Sequence, residues 1–514
     1  MRAKGFVGIG VVVLAAVASL HGANATLVDA VKSGDKQAVL ALLKAPGGVN
    51  QTAPDGTTAL HWAVRANDLE TTDLLLRAGA KVKVTNRYGV SPLGLAAVNG
   101  NAAIMERLLN AGADANTKSP EGETVLMTAA RTGNPAAVRL LLSRGADPNA
   151  REGWLGQTAL MWAAAENHPA MVELLIGAGA DPNVAGRTYP DADLKPLDFG
   201  TPKANESRGG MTALHYAARQ GALDAVRTLG SKGVDLNQVD PDGVNALLYA
   251  ALNGHTDTAT LLLELGADPN LADAAGRTVL YAAIDLNSWE AMAPRPAPKT
   301  NDKTSALDLA RLAIAKGASL NAPISGNLPP RSTQGNNDST PQGATPLWRA
   351  AKTSDVEAVK ILLDAGADPA LPSRDGITPL MVAAGQAWEA DRARLTTEQK
   401  SVETIKALLA TGVDINLRNT KGETALHGAA DRKADEVIKM LVGNGATLEL
   451  KDKSNRTALD IALGVPPVGG YNPFEYRDPT LKASTAAVLR ELMAAKGVAI
   501  EPYVKPTEPA KTAQ

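Results

Sequence analysis

The side chains that most often do chemistry are few in this 514-residue chain, and they are badly spaced for it. Beyond residue 25 the histidines are His61, His168, His215, His255 and His427. No two of them stand at metal-ligand spacing with a carboxylate, so no metal site is expected. The chain has no cysteine, which excludes a thiol nucleophile, cysteine-ligated zinc, an iron–sulfur cluster, covalent haem and any disulfide. No serine stands in a nucleophile elbow. The GVPPVGG run from Gly464 lacks both the lysine and the preceding strand of a phosphate loop. The GADPN runs at Gly145, Gly179 and Gly266 are turn chemistry, because no twelve-residue ligand series ending in glutamate follows them. The expectation is a non-enzyme with no catalytic residue, no cofactor and no metal.

What the residue pattern does offer is binding. Aromatic residues make up only 3% of the chain, so their positions carry information. Trp62, Trp162, Tyr216 and Tyr249 occupy the same place in a recurring motif, just after Thr-Ala-Leu-His or its variant. Arg65, Arg131 and Arg219 recur three places later, on the same helical face. Turn positions add Tyr88, Arg151 and Trp154. Together they suggest an aromatic and basic ridge for an extended or acidic partner segment. The competing reading of the four helix rings is half-buried packing between neighbouring segments. A second group, Trp289, Trp388, Tyr471, Phe474 and Tyr476, lies in long insertions. Rigid aromatics are favoured interface anchors, which makes these a candidate contact site. In the competing reading the rings fold the loops back onto the body.

The elements that would position these residues are spelled out between Leu155 and Asn183, LGQTALMWAAAENHPAMVELLIGAGADPN. Gly156 closes a turn and Thr158 can cap the helix that follows. Leu160, Ala163 and Ala164 recur at helical spacing. Pro169 opens a second helix, where its missing N–H costs nothing, and Gly179 ends it. The sentence repeats. Turn glycines stand at 56, 89, 122, 156, 210, 243, 276, 343, 376 and 422, most of them ~33 residues apart. Helix-ending glycines keep the same beat from Gly79 to Gly497. With TALHWAV from Thr58, TALHYAA from Thr212 and TALHGAA from Thr424, the chain resembles the ankyrin-repeat family, and in particular exported bacterial ankyrin-repeat proteins. The resemblance implies an all-α solenoid of helix-turn-helix units with hairpin or loop fingers, about twelve units including two caps. It also implies that His61, His215 and His427 tie neighbouring turns by hydrogen bonds. His168 and His255, at the start of second helices, are expected to be exposed.

Residues 1–25 read as a signal peptide: Arg2 and Lys4, an apolar run from Phe6 to Leu20, and cleavage after Ala25. A membrane anchor competes with it, but the run of ~15 residues is short of the ~20 a span requires. The expected organisation continues with a capping repeat at 26–54, regular repeats at 55–183 and an inserted finger loop at 184–209. Repeats at 210–321 carry an inter-helix insert at 287–304. A flexible polar insert follows at 322–342, across which the stack is expected to continue. Repeats at 343–454 carry an insert at 385–400, where Thr396 or Thr397 should cap a lengthened helix. A C-terminal cap at 455–501 has an insert at 464–484, and a disordered tail closes the chain at 502–514.

The whole chain has 52 basic and 54 acidic residues. Without Arg2 and Lys4 the balance moves from −2 to about −4, against the basic stripe that nucleic acid demands. The expected function is an exported, non-enzymatic protein–protein interaction scaffold, monomeric, with another protein as partner and no membrane span after residue 25. It would be periplasmic in a Gram-negative source and otherwise secreted. The alternatives are a small-molecule or glycan binder acting through the inserted aromatic loops, and an effector delivered to a host cell.

Overall fold

A computed structural model describes residues 26–44, 47–188, 209–288, 300–326, 340–386, 397–467 and 482–502. It contains 24 helices and no strand among the described residues. They fall into twelve helix pairs, and the chain divides into two compact units, Met1–Gly186 and Arg187–Gln514. The first unit holds five pairs: Leu27–Ser33 with Lys36–Leu43, Ala59–Arg65 with Leu69–Arg77, Pro92–Val98 with Ala102–Asn110, Val125–Thr132 with Pro135–Ser143, and Ala159–Ala165 with Pro169–Gly177. The second holds seven, from Ala213–Gln220 with Leu223–Ser231 to Ala458–Ala462 with Lys482–Ala495.

Each first helix starts where a hydroxyl or amide can replace the missing backbone acceptor. Thr58, Ser91, Thr124 and Thr158 cap the helices of the second to fifth repeats in this way, and Asn245 does so in the seventh. Thr397 caps the lengthened helix Glu398–Leu409. The turn before several first helices is pinned by a side-chain oxygen. Asp240 accepts from the N–H groups of Asp242 and Val244, and Asp452 from those of Ser454 and Arg456. The turn then needs a residue at positive φ, which glycine adopts cheaply. In the last repeat Asn455 fills that place at φ 62°. Asparagine is one of the few side chains that tolerate it.

Small residues let the layers approach. Ala63, Ala96, Ala97, Ala129, Ala130, Ala163 and Ala164 are buried in the first unit, where short side chains permit helix spacings at the low end of ~8–10 Å. Polar ties cross junctions within each unit. Asn149 donates to the Gly179 carbonyl at 2.8 Å and accepts from the Asp181 N–H at 2.9 Å. Asn116 and Asn270 do the same one repeat on. Successive turns bond backbone to backbone: the Arg87 N–H donates to the Asp55 carbonyl, and that of Gly153 to Glu121.

The imidazoles are part of this stitching. The Thr58 N–H donates to Nδ1 of His61 at 3.2 Å, and Nε2 lies 3.0 Å from the Val90 carbonyl in the next repeat. His427 repeats the pattern with Thr424 and Arg456. His215 keeps the Thr212 bonds and meets the Tyr249 ring edge-on at 5.6 Å. With Nδ1 accepting, the proton must sit on Nε2, so the ring is the neutral tautomer. The expected exposure of His168 and His255 does not hold. Both are half-buried, each seated on a glycine of the preceding repeat. A Cβ on Gly133 would stand 2.7 Å from the His168 ring, and one on Gly221 would stand 2.4 Å from that of His255.

In the second unit the stack runs across residues 327–339. Ile324, on the near side, exchanges backbone bonds with Gly343 and Ala344 on the far side. The buried guanidinium of Arg349 lies 2.7 Å from Asp285, and Arg311 reaches Glu357. The insertion 184–209 is closed at its base by pairing of Thr188 with Gly209.

Two outcomes follow. Burial holds the pKa of His61, His215 and His427 below the ordinary value. The unfolded chain therefore takes up protons first as pH falls below ~6.5. Stability should be complete above that pH and decline below it, by up to ~1.4 kcal/mol per histidine per pH unit. Urea titrations at pH 7.5, 6 and 5 read this, and replacing all three histidines by Gln should flatten the slope. Asp285→Ala leaves Arg349 buried without its carboxylate and should cost ~3–5 kcal/mol. Arg311→Ala, in an exposed pair, should cost far less than Asp285→Ala.

Candidate protein-binding surface

The first helices of the second to fifth repeats carry Trp62, Leu95, Thr128 and Trp162 at one motif place, Thr128 being buried, and Arg65, Val98, Arg131 and Ala165 three places on. Both tryptophans are half-buried, while Arg65, Arg131 and Val98 are exposed. Rings and cations on this face stack on one another. Lys32 lies 5.0 Å and Arg65 5.4 Å from the Trp62 ring centre, and Arg131 lies 4.6 Å from that of Trp162. Such contacts contribute ~0.5–1 kcal/mol each at exposed sites. They also fix long side chains that would otherwise lose entropy on binding. Arg131 and His168 join the fourth and fifth repeats a second way, through the Arg131 carbonyl 3.0 Å from Nε2 of His168.

The finger residues project further. Tyr88 is exposed and carries Arg87 over its ring at 4.8 Å. Trp154 is 74% exposed. Its prominence has a local cause. The finger of the fourth repeat runs Ser119-Pro120-Glu121-Gly122, whereas that of the fifth runs Glu152-Gly153-Trp154-Leu155-Gly156, one residue longer. The extra residue is accommodated because the buried Glu152 carboxylate reaches both sides of the turn. It accepts from the N–H groups of Trp154 at 2.5 Å and Gln157 at 2.8 Å. Arg151 is exposed beside it.

The second unit treats the same motif places differently. Tyr216 is half-buried and Arg219 exposed. Tyr249 is tethered through its hydroxyl to Asp240 at 2.6 Å, so packing accounts for that ring. In the eighth to tenth repeats the outward rows are closed. Asp285, Arg349, Lys352 and Val382 are all buried, and Arg349 stands at the place Trp62 holds in the second repeat. Sequence reasoning passed over this buried Arg349–Asp285 pair. Its one signal was an arginine where other repeats carry a ring or an aliphatic side chain. Trp289, Trp388, Tyr471, Phe474 and Tyr476, and with them the expected loop patch, lie outside the described residues, as do residues 503–514 of the expected tail.

Among the described residues no group of three or more histidine or acidic side chains could hold a metal ion, and no helix is long and apolar enough to cross a membrane. A cavity of about 450 Å³ between the second helices of the fourth and fifth repeats is lined by Arg139, Ala170, Glu173, Leu174, Gly177 and Ala178, without an aromatic ring.

The geometry defines a helix-pair repeat protein whose exposed features are turns and first-helix faces. Family models for ankyrin repeats match residues 27–119 and 93–185 (three copies), 214–263 and 247–287 (many copies), 408–462 (many copies), and 342–374 and 375–420 (single repeat). Together these matches take in well over half of the sequence, and the chain belongs to the ankyrin-repeat family. No curated protein matches it as a relative.

Removing Trp154 should change binding without changing stability. Trp154→Ala is expected to shift the unfolding free energy by less than ~0.5 kcal/mol, as exposed sites do. Trp162→Ala, which also removes the seat of Arg131, should cost ~1–3 kcal/mol. Chemical denaturation of the two variants side by side reads the difference.

Proposed function

We propose that the protein is an exported, non-enzymatic scaffold that binds another protein through the surface of its ankyrin repeats. Ankyrin repeats are generally protein–protein interaction modules. The observation that supports the reading here is Trp154, held out at 74% exposure on a finger whose only carboxylate is buried in the turn beneath it. Tryptophan is among the side chains interfaces use most as anchors, and this one offers most of its surface to a partner. Export rests on the pattern of residues 1–25, with the basic start, the short apolar run and Ala23-Asn24-Ala25. In a Gram-negative source the destination is the periplasm. The protein acts as a monomer, each repeat presenting its turn and its first helix without rearrangement.

The test is affinity capture from native envelope extract, with the wild-type chain, Trp154→Ala and Trp388→Ala as separate baits. A partner retained by wild type and lost from Trp154→Ala supports binding through the first unit. Loss from Trp388→Ala alone moves the site to the inserted loops. Capture of no protein by any bait contradicts the scaffold reading. Separately, the N-terminus of protein recovered from the envelope or medium should begin at Thr26. An unprocessed Met1 in the cytoplasm would remove export from the proposal.

A further inference from the structure

The first helices of the second to fifth repeats read ALHWAVR, PLGLAAV, VLMTAART and ALMWAAA: two arginines and no carboxylate. The arginines recur on the fingers as Arg87 and Arg151, and Lys32 enters from the first repeat. Most acids near this face have partners. Asp55 holds its own turn through the Thr57 N–H, and hydrogen bonds keep its pKa below the ordinary carboxylate range. Glu123 bonds the Thr128 hydroxyl and lies 3.8 Å from Arg131, and Glu152 is buried in its turn. Glu121 and Glu166 are exposed, at the finger edge and the helix end respectively. Arg65 and Arg151 make no ion pair among the described residues. The second helices of the same unit, by contrast, mix both signs and pair them across repeats, as in Lys36 with Glu70 and Arg107 with Asp73.

The apolar part is equally specific. Val98 is 58% exposed between the two tryptophans. Cations already lie over the Trp62 and Trp162 rings, which leaves ring edges and outer guanidinium surfaces to a partner. Stacking of bases or sugar rings is thereby disfavoured, and an oligonucleotide carries a charge at every residue where this row answers with two arginines. The indole N–H of Trp162 is buried without an acceptor among the described residues, a donor still lacking the partner that buried donors normally have.

We propose that this face binds an extended acidic polypeptide segment that also carries aromatic or apolar side chains. Its carboxylates sit on Arg65 and Arg131, and its apolar groups lie along Trp62, Val98 and Trp162. The reading rests on the protein-binding function above. Repeats stacked at ~10 Å set Arg65 and Arg131 ~20 Å apart, about six residues of extended chain at ~3.3 Å each. The ligand is therefore a segment of about nine residues with acids roughly six apart, and it uses the cation rows for orientation and encounter rate.

The full-length protein is titrated, with fluorescence anisotropy as readout, against labelled poly(Glu,Tyr), poly-Glu, poly-Lys and oligo-dT. Poly(Glu,Tyr) is expected to bind tightest, poly-Glu more weakly, and poly-Lys and oligo-dT not measurably. The double change Arg65→Glu and Arg131→Glu should weaken poly(Glu,Tyr) at least ~10-fold, while Lys360→Glu on a second helix of the other unit leaves it unchanged. Trp162→Ala should erase the preference for poly(Glu,Tyr) over poly-Glu. Thermal melts confirm that each variant is folded, and any that is not is replaced by Arg65→Gln with Arg131→Gln. Equal binding by the double variant, tighter binding of oligo-dT or poly-Lys, or no binding of poly(Glu,Tyr) overturns the proposal. If the doubly reversed bait still captures the envelope partner, this assignment fails while the scaffold function stands. If no bait captures anything, the function itself fails.

Discussion

A pair of helices five to fourteen residues long cannot close a core by itself, and every other feature of this protein follows from that limit. Each pair buries its apolar stripe only against the pair before and the pair after. Alanines at the contacts bring the backbones close enough for polar groups to reach across: asparagine to the next glycine carbonyl, histidine to the next turn, finger to finger. Cohesion is therefore local and directional. A fault at one junction weakens its neighbours without dissolving the rest, and a surface presented by several repeats is as stiff as the junctions between them.

The same rule decides which side chains are free to act. One motif place, just past the capping threonine, has three fates. At Trp62 and Trp162 it holds a half-buried ring under a cation. At Tyr249 it holds a ring anchored to Asp240. At Arg349 it is a fully buried charge paired with Asp285. Of these three, the first leaves a ring and its cation at the surface. Fingers follow a parallel logic: a side-chain oxygen fixes the turn and sets how far its tip reaches. In the fifth repeat a glutamate does this for a turn one residue longer, and the tryptophan it carries is largely exposed.

Much of this was legible in the sequence because the repeat uses residues with narrow conformational roles. Glycine at positive φ, threonine at the cap and proline at the first helical position mark boundaries regardless of surroundings, and the period emerges from them. Asn455 was readable in place of a glycine because it shares the left-handed preference. Contacts between repeats were less legible. His168 and His255 look like solvent-facing helix starts, and nothing local reveals that a glycine about 35 residues earlier leaves them a seat. Arg349 looks like one more member of a basic ridge, since its burial depends on Asp285 and Thr340 rather than on its own helix.

The central claim is that the face built by the first helices and fingers of the second to fifth repeats is where a partner docks. Hydrogen-exchange mass spectrometry of the full chain, alone and with a captured protein partner bound, tests it most directly. Slower exchange should concentrate in peptides covering residues 59–65, 86–98, 125–132 and 151–165, with the second helices of the same repeats unchanged. Slowed exchange restricted to residues 209–502, or to the second helices, would contradict it.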